Sequence, residues 1–292
     1  MRRVEGGWAV TVRERIGSAL LARSLGPVGG VRRRRGGAEV VVGKRILLTG
    51  ASAGVGRAAA VRLAGAGAEM VLVARRGDEL ERLQGEIRAA GGKAEYRVCD
   101  MSEAGQVEEL VRWVVETYGG VDVLINNAAR SIRRPLTESF DRLHDYHRTM
   151  AVNYFGAVQL TLGLLPEMIA RGTGHVINVG TWTVAADTSP WFTAYHASKA
   201  ALAGFSRAAG GELERAGIAV TSVHYPLVHT AMSAPTEKFR ALPGLTPEQA
   251  AEWLVTAIRT RPVRMVPQYA AFLRLLGIVS PRTVDRMVAR GG

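Results

Sequence analysis

The residues Arg45-Ile46-Leu47-Leu48-Thr49-Gly50-Ala51-Ser52-Ala53-Gly54-Val55-Gly56 run from a short apolar segment into a glycine-rich turn. The apolar part is typical of a buried strand, and the alanine-rich residues 57–64 that follow predict a helix. Glycine at 50, 54 and 56 lets a pyrophosphate approach the backbone, and the start of a helix favours its negative charge. The spacing Gly-x-x-x-Gly-x-Gly differs from the usual dinucleotide motif, and a purely structural turn also uses glycine. The order of strand, turn and helix favours a phosphate-binding turn.

Further apolar runs alternate with helical segments along the chain. After the first strand we predict strands at 70–74, 94–98, 121–125, 175–179, 218–223 and 263–267. Strands alternating with helices are typical of a doubly wound α/β domain, which we place at residues 44–267. A basic extension precedes it at 1–43, predicted as an amphipathic helix over 9–25 and a disordered Arg/Gly linker. An apolar and basic helical segment follows it at 268–292.

The positive charge of the chain is concentrated near its start. The formal net charge is +12, and residues 1–43 supply half of it through nine arginines against three glutamates. We interpret Arg32-Arg33-Arg34-Arg35 as part of a solvated leader and predict no nucleic-acid partner, because aromatic residues are not interleaved. Contact with an anionic membrane surface is the alternative. The single cysteine and the lack of an apolar run of about 18 residues favour a cytoplasmic protein, with peripheral contact to the inner membrane surface left open.

Polar side chains follow the predicted strands at the end where the glycine turn lies. Arg75 and Arg76 follow the second strand, and their guanidinium groups suit the 2′-phosphate of NADP, although Asp78 stands nearby. Asp100 follows the third strand, where it would bind an adenine amino group or cap the next helix. The Asn126-Asn127 pair closes the fourth strand, and its amides would be satisfied by bridging strands beside a cofactor.

Tyr195 and Lys199 are four residues apart, on one face of a predicted helix. A nearby cation stabilises phenolate and brings the phenol pKa, near ~10, toward neutrality, so the pair is a candidate acid and base. Such a pair also occurs on many solvated helices, and the cofactor pattern upstream gives it weight. We predict no metal site, because His144-x-x-His147 lacks further ligands and fits a solvated helix face.

These features together resemble the short-chain dehydrogenase/reductase family over residues 44–267. The resemblance depends on an ordered set of residues: Thr49-Gly50-x-x-x-Gly54-x-Gly56, Asp100, Asn126-Asn127-Ala128, Asn153, Thr181 and Tyr195-x-x-x-Lys199. It implies a Rossmann fold whose seven parallel strands lie in the order 3-2-1-4-5-6-7. It also implies that NADP(H), preferred over NAD(H), is bound by a set of fifteen residues: Gly50, Ser52, Ala53, Gly54, Val55, Gly56, Arg75, Arg76, Asp100, Asn127, Ala128, Tyr195, Lys199, Val228 and Thr230.

The resemblance implies catalytic roles for four residues. Tyr195 would donate a proton to a carbonyl oxygen as hydride arrives from the nicotinamide, and Lys199 would lower the tyrosine pKa and bind the ribose. Asn153 would hold a water that relays protons to Lys199. The hydroxyl that is usually serine is here Thr181, with Thr183 as the competing candidate.

Two further departures from the family pattern concern the site walls. Pro226-Leu227 replaces the usual Pro-Gly after the sixth strand, with an apparent deletion, which predicts a rebuilt wall beside Val228 and Thr230. Ala129 ends the motif that usually reads Asn-Asn-Ala-Gly, a minor change.

A narrower resemblance, over residues 225–262, is to the reductase domains of bacterial fatty acyl-CoA reductases. We therefore expect an oxidoreductase acting on a hydrophobic carbonyl or alcohol such as a fatty aldehyde or acyl-CoA, and a homo-oligomer, either dimer or tetramer. The segment 268–292 would accommodate an acyl chain, rest on a membrane or form an ordinary packing surface. The alternatives are a ketone or sterol-type alcohol dehydrogenase and a catalytically silent dinucleotide-sensing module.

Overall fold

The computed structural model describes residues 21–28 and 41–291. One sheet contains eight strands: β1 (Pro27–Val28), β2 (Arg45–Thr49), β3 (Glu69–Ala74), β4 (Lys93–Val98), β5 (Val123–Asn126), β6 (Gly174–Thr181), β7 (Ile218–Tyr225) and β8 (Arg264–Pro267). The helices are α1 (Gly54–Ala64), α2 (Gly77–Ala89), α3 (Ala104–Tyr118), α4 (Leu143–Met150), α5 (Ala157–Ala170), α6 (Trp182–Ala186), α7 (Thr193–Leu213), α8 (Glu237–Arg240), α9 (Pro247–Thr260), α10 (Gln268–Val279) and α11 (Pro281–Gly291). A π-helical turn over Ala151–Gly156 joins α4 to α5.

The sheet order confirms the predicted doubly wound Rossmann fold. The strands lie in the order β1-β8-β7-β6-β5-β2-β3-β4, and all neighbours from β2 to β8 are parallel. The prediction of seven strands is one short, because β1 pairs antiparallel with β8 at the edge, Pro27 opposite Pro267. Two residues leave no alternating pattern in the sequence, so this strand is set by tertiary contact alone.

Apolar side chains pack on both faces of the sheet. In β2, Ile46 and Leu48 face one layer, which contains Leu63 of α1 and Leu254 of α9. Leu47 faces the opposite layer, which contains helix residues of α3 and α5. A strand buried on both faces reads as a continuous apolar run, which explains why these strands are recognisable in the sequence. The carboxyl ends of the parallel strands meet at one edge, where α/β sheets bind ligands.

Several predictions for the N-terminal extension concern residues outside the described ones. Residues 21–23 are helical, whereas the rest of the helix predicted over 9–25 and the four arginines at 32–35 are not described. The C-terminal segment, predicted as helical, forms α10 and α11, which are separated at Ser280. Among the described residues no helix combines the length and apolar character needed to cross a membrane.

Candidate active site

The glycine turn after β2 is built so that an anion can reach its backbone. Gly50 and Gly54 have φ angles of 68° and 52°, in the left-handed region that favours glycine. A Cβ on Gly56 would lie 2.1 Å from the carbonyl oxygen of Gly50, so only glycine fits there. No side chain caps the start of α1, and its first turn has no acidic residue. The free amides at this helix start fit a dinucleotide pyrophosphate.

All fifteen residues predicted to bind the nucleotide line one cavity at the carboxyl edge of the sheet. Its volume is about 710 Å³. Thr181 and Thr183 also line this cavity, whereas Asn153 does not. The contacts of these residues with a nucleotide remain predictions, and the shared cavity is the arrangement that the predictions require.

Two arginines lie where β3 meets α2, at one end of the cavity. Arg76 Nη2 donates to the carbonyl oxygen and hydroxyl of Ser52, at 3.1 and 3.2 Å. Arg75 Nη1 lies 3.5 Å from Asp100 Oδ2, and its side chain is 66% exposed. Asp100 Oδ1 accepts from the amide and hydroxyl of Ser102 in the turn before α3, whereas α3 itself has no side-chain cap. Burial opposes ionisation of Asp100, but these hydrogen bonds and Arg75 outweigh it and lower the pKa.

The asparagine pair that closes β5 bridges neighbouring strands, as predicted. Asn127 Nδ2 donates to the carbonyl oxygen of Thr49 at 3.0 Å. The Thr49 hydroxyl accepts from the amides of Asn127 and Ala128, each at 3.0 Å. Asn126 Nδ2 donates to Asn178 Oδ1 of β6 at 2.8 Å. These bonds hold the ends of β2, β5 and β6 in register beneath the cavity.

A rebuilt wall follows β7, where the sequence departs from the family pattern. Leu245 donates its amide to the carbonyl oxygen of Leu227 at 2.8 Å, and His229 donates to that of Leu245 at 2.9 Å. This short parallel bridge brings Thr230 over the glycine turn, where its Cγ2 would be 3.1 Å from a Cβ on Gly54. The wall and the turn therefore face each other across the position expected for the nucleotide.

Tyr195 and Lys199 lie near the start of α7, and both side chains face the cavity. Lys199 is 2% exposed, and its Nζ donates to the carbonyl oxygen of Val179 in β6 at 2.8 Å. Burial lowers the pKa of Lys199 to about 8 and raises the pKa of Tyr195 to about 12. At neutral pH the phenol is therefore protonated and the ammonium mostly so. A lowering of the Tyr195 pKa by Lys199 stays a prediction for the nucleotide-bound protein.

Thr181 and Thr183 place two hydroxyls side by side at the end of β6. Their Oγ1 atoms are 3.3 Å apart. Thr181 caps α6, and His196 Nδ1 lies 3.4 Å from the Thr183 hydroxyl. The carbonyl oxygen of Thr181 accepts from His224 Nδ1 at 3.1 Å. Both hydroxyls remain candidates for the position usually occupied by serine.

Asn153 is buried in the π-helical turn and connects the loop at Arg130 to α7. Its Oδ1 accepts from the amide of Arg130 at 2.7 Å, and its Nδ2 donates to the Arg130 carbonyl and to Ser198 Oγ, each at 2.9 Å. Ser198 in turn donates to the carbonyl oxygen of Tyr195 at 2.7 Å. Asn153 thus positions the first turn of α7. Ser198 was not predicted, although it lies between the tyrosine and the lysine. The water relay remains a prediction.

An apolar part of the cavity lining, here called the apolar arm, includes Trp182, next to Thr181, and residues from both terminal parts of the described chain. Trp182 packs edge to face on Tyr269 of α10, with ring centroids 5.2 Å apart. The remaining residues of this apolar arm come from α10, α11 and the N-terminal segment: Leu273, Met287, Val288, Leu21 and Leu25. Sequence reasoning expected an apolar C-terminal segment but could not assign these residues, because their contacts are entirely long-range.

Aromatic rings close the cavity beside Tyr195. Phe239 of α8 stacks on Phe192, with centroids 6.0 Å apart and planes inclined by 11°. Phe192 meets Tyr195 edge to face at 6.5 Å. The loop after β7 is thereby held over the start of α7.

Comparisons with known proteins agree with this geometry. A family model described as short chain dehydrogenase matches residues 44–241. A fatty acyl-CoA reductase of Mycobacterium tuberculosis is 48% identical over 221 residues, 76% of this chain and 75% of that protein. A fatty acyl-CoA reductase of Acinetobacter baylyi is 44% identical over 212 residues, 73% of this chain and 72% of that protein. A solved metagenomic short-chain oxidoreductase in complex with NADP has a TM-score of 0.66 and 29% identity, over 75% of this chain and 92% of that one.

Proposed function

Because this chain belongs to the short-chain dehydrogenase/reductase family of oxidoreductases, we propose that it transfers hydride between NADP(H) and a long-chain hydrophobic carbonyl or alcohol. A fatty acyl-CoA or fatty aldehyde is the proposed substrate class. The observation that carries the proposal is the apolar arm, which begins beside Thr181 and is lined by Trp182, Tyr269 and Leu273. Membership of an oxidoreductase family argues against a silent sensing module.

In the proposed mechanism Tyr195 is the proton donor. Its phenol is protonated at neutral pH, as an ordinary phenol is, and burial raises its pKa further, to about 12. The nicotinamide supplies the hydride when bound. Lys199, one helical turn further along α7, would stabilise the phenolate left after proton transfer. A hydroxyl of Thr181 or Thr183 would orient the carbonyl oxygen.

The preference for NADP is supported by the end of β3. Two guanidinium groups, Arg75 and Arg76, lie at the cavity, whereas a carboxylate there would favour NAD. The bond from Arg76 to Ser52 places that charge next to the glycine turn. The structural relative in complex with NADP agrees with this choice.

A homo-oligomer is part of the proposal. Phe155, Leu162 and Ile169 follow one another at intervals of seven residues and are 60%, 56% and 47% exposed. They form one exposed apolar stripe along the π-helical turn and α5, which suits a second copy of the chain. Leu162→Glu should reduce the mass measured by light scattering after size-exclusion chromatography, and an unchanged mass would exclude this interface.

The substrate class is tested by following NADPH absorbance with acyl-CoAs and aldehydes of increasing chain length, and with cyclic ketones. We expect kcat/KM to rise with chain length. Leu273→Trp narrows the apolar arm and should lower kcat/KM for long chains at least about tenfold while short aldehydes are affected little. Leu275→Trp, on the outer face of the same helix, is the matched control. Turnover of cyclic ketones alone, or equal rates for all chain lengths, would overturn the proposed substrate.

A further inference from the structure

Helix α10 is apolar on both its inner and its outer side. Ala270 and Leu273 are buried against the body of the protein. Phe272, Leu275 and Val279, at spacings of three and four residues, share the opposite face and are 62%, 67% and 84% exposed. A helix that is apolar all round is normally covered on all sides. We therefore expect the outer face of α10 to be covered by a partner.

The exposed charges of α10 and α11 are almost all positive. Arg274 of α10 and Arg282 and Arg286 of α11 are exposed. Within the described part of the chain none of the three forms an ion pair, and Asp285 is the single acidic residue between 268 and 289. A helical segment with an exposed apolar stripe and exposed arginines is typical of an interfacial segment on anionic lipid.

The same two helices form the apolar arm on their inner side. Tyr269 and Leu273 of α10, with Met287 and Val288 of α11, line the cavity. The outer face of α10 is thus separated from the proposed acyl site by the thickness of one helix. An apolar substrate dissolved in a bilayer would have a short path into this arm.

We propose that the outer face of α10, with the arginines of α11, docks on an anionic lipid surface and places the apolar arm against the bilayer. A second copy of the chain fits this face less well. Two copies related by a two-fold axis would bring the same arginines together, and the net charge of +12 adds to their repulsion. Delivery of substrate from the lipid depends on the proposed function, whereas the docking itself does not.

Vesicle flotation of the full chain tests the proposal. We expect binding to phosphatidylglycerol vesicles at least about tenfold stronger than to phosphatidylcholine vesicles, since each arginine gains attraction near an anionic surface. Leu275→Glu with Val279→Glu should weaken binding to phosphatidylglycerol vesicles at least about tenfold, and Arg282→Glu with Arg286→Glu should do the same. None of these four residues lines the cavity, so NADPH binding and the unfolding temperature should stay unchanged.

Matched controls carry the same substitutions elsewhere on the surface. Val61→Glu with Val263→Glu changes two exposed apolar residues, in α1 and beside β8, and Arg207→Glu with Arg215→Glu changes two exposed arginines, in and after α7. Both should bind vesicles like the unmodified chain. Equal loss in the controls would show that the effect is one of overall charge and would overturn the proposal.

Three other results would overturn the docking surface. The first is that the unmodified chain does not float with phosphatidylglycerol vesicles. The second is that Leu275→Glu with Val279→Glu floats unchanged, which would assign binding to another segment such as residues 1–43. The third is that the same variant loses a dimer, which would assign the face to a second copy. Turnover of a short soluble aldehyde is measured separately. Vesicle binding without turnover of any acyl substrate would reject the proposed function and leave the docking surface standing.

Discussion

At the residue scale, Lys199 combines a structural cost with a catalytic position. Its ammonium is almost fully buried, and the carbonyl oxygen of Val179 is its hydrogen-bond partner. Placing a charge in such a site disfavours the charged form, which is why the pKa is lowered to about 8. The protein retains this lysine at the expense of stability, as active sites commonly do.

Replacing Lys199 by methionine should therefore stabilise the fold at neutral pH. The difference between an ordinary lysine pKa of 10.5 and about 8 corresponds to about 3 kcal/mol of unfolding free energy. Loss of the hydrogen bond to Val179 destabilises the variant by about 1 kcal/mol, so its net gain in unfolding free energy is about 2 kcal/mol below pH 8. Between pH 8 and 10.5 the unfolded wild type holds a proton on this lysine that the folded wild type lacks. The wild type therefore gains stability as pH rises, and the difference in unfolding free energy between variant and wild type becomes smaller. Urea unfolding at pH 7 and 10 measures this. A difference in unfolding free energy that is the same at both pH values would contradict this prediction.

Tyr195→Phe should remove turnover while nucleotide binding stays intact. Loss of a general acid lowers kcat by about 10²–10⁴-fold, and the phenyl ring keeps the shape of the site. NADPH oxidation measures kcat, and fluorescence titration measures binding. Tyr96→Phe, in β4 and away from the cavity, serves as the control. Undiminished turnover of the Tyr195 variant would remove the mechanism.

Local chemistry made some residues of the site predictable. Three features are recognisable from a few adjacent positions in the sequence: the glycine turn, the asparagine pair, and the pair Tyr195 and Lys199. Ser198 and Leu273 could not be recognised as site residues in this way, because a serine in a helix and a leucine in an apolar helix are common. Their roles arise from contacts with Asn153 and with the cavity.

At the element scale, the proposed preference for NADP depends on the junction of β3 with α2. Arg76 is held by Ser52, whereas Arg75 is largely exposed and near Asp100. An arginine pair at this position adds attraction for a 2′-phosphate without affecting the rest of the dinucleotide.

Arg75→Ala with Arg76→Ala should weaken NADPH binding much more than NADH binding. Loss of two charge-assisted contacts corresponds to roughly 10²-fold or more in the NADPH Kd. Arg82→Ala, an exposed arginine of α2 paired with Glu79, is the matched control. Fluorescence titration measures the Kd of both nucleotides. An equal loss of affinity for NADPH and NADH would contradict the assignment of these arginines to the 2′-phosphate.

Strand β6 carries a buried histidine that makes the sheet sensitive to acid. His175 Nε2 lies 2.8 Å from the Thr221 hydroxyl, which donates to Pro262, so the imidazole is the donor. Its Nδ1 has no partner among the described residues. Burial lowers the pKa of His175 to about 3, so this side chain stays neutral while the fold persists.

Acid should therefore destabilise the wild type more than His175→Gln. Below pH 6.5 the unfolded chain binds a proton that the folded chain accepts only near pH 3, so stability falls as pH falls through this window. By pH 5 the wild type should lose about 2 kcal/mol that the variant keeps. Glutamine retains a donor for Thr221. Urea unfolding at pH 7 and 5 provides the comparison, and parallel losses in both proteins would count against this account.

At the scale of the whole molecule, the cavity is lined by residues from both terminal parts of the described chain. Leu21 and Leu25 come from the N-terminal segment, and Met287 and Val288 come from α11. The parallel strands themselves were predictable from their apolar runs, and their order in the sheet was what the family resemblance implied. The positions of residues 21–25 and 284–288 were not predictable, because short segments take their conformation from the surfaces that they meet.

Binding of a long acyl ligand should slow hydrogen exchange at both ends of the chain together. We expect protection at residues 21–25 and 284–288 when a long-chain acyl-CoA is added to the NADPH complex. Residues 107–114 of α3 pack on the other side of the sheet and serve as the internal control. Hydrogen-exchange mass spectrometry measures all three segments. Protection at one end alone would show that the ligand takes another route.

The pairing of β1 with β8 also orders events during synthesis. Pro27 leaves the ribosome long before its partner Pro267. Strands β2 to β5 have their partners long before then, so the sheet grows from its middle while residues 27–28 wait unpaired. Strand β1 precedes the other strands in sequence but joins the sheet only after β8 has emerged, so the apolar wall that Leu21 and Leu25 provide is completed late.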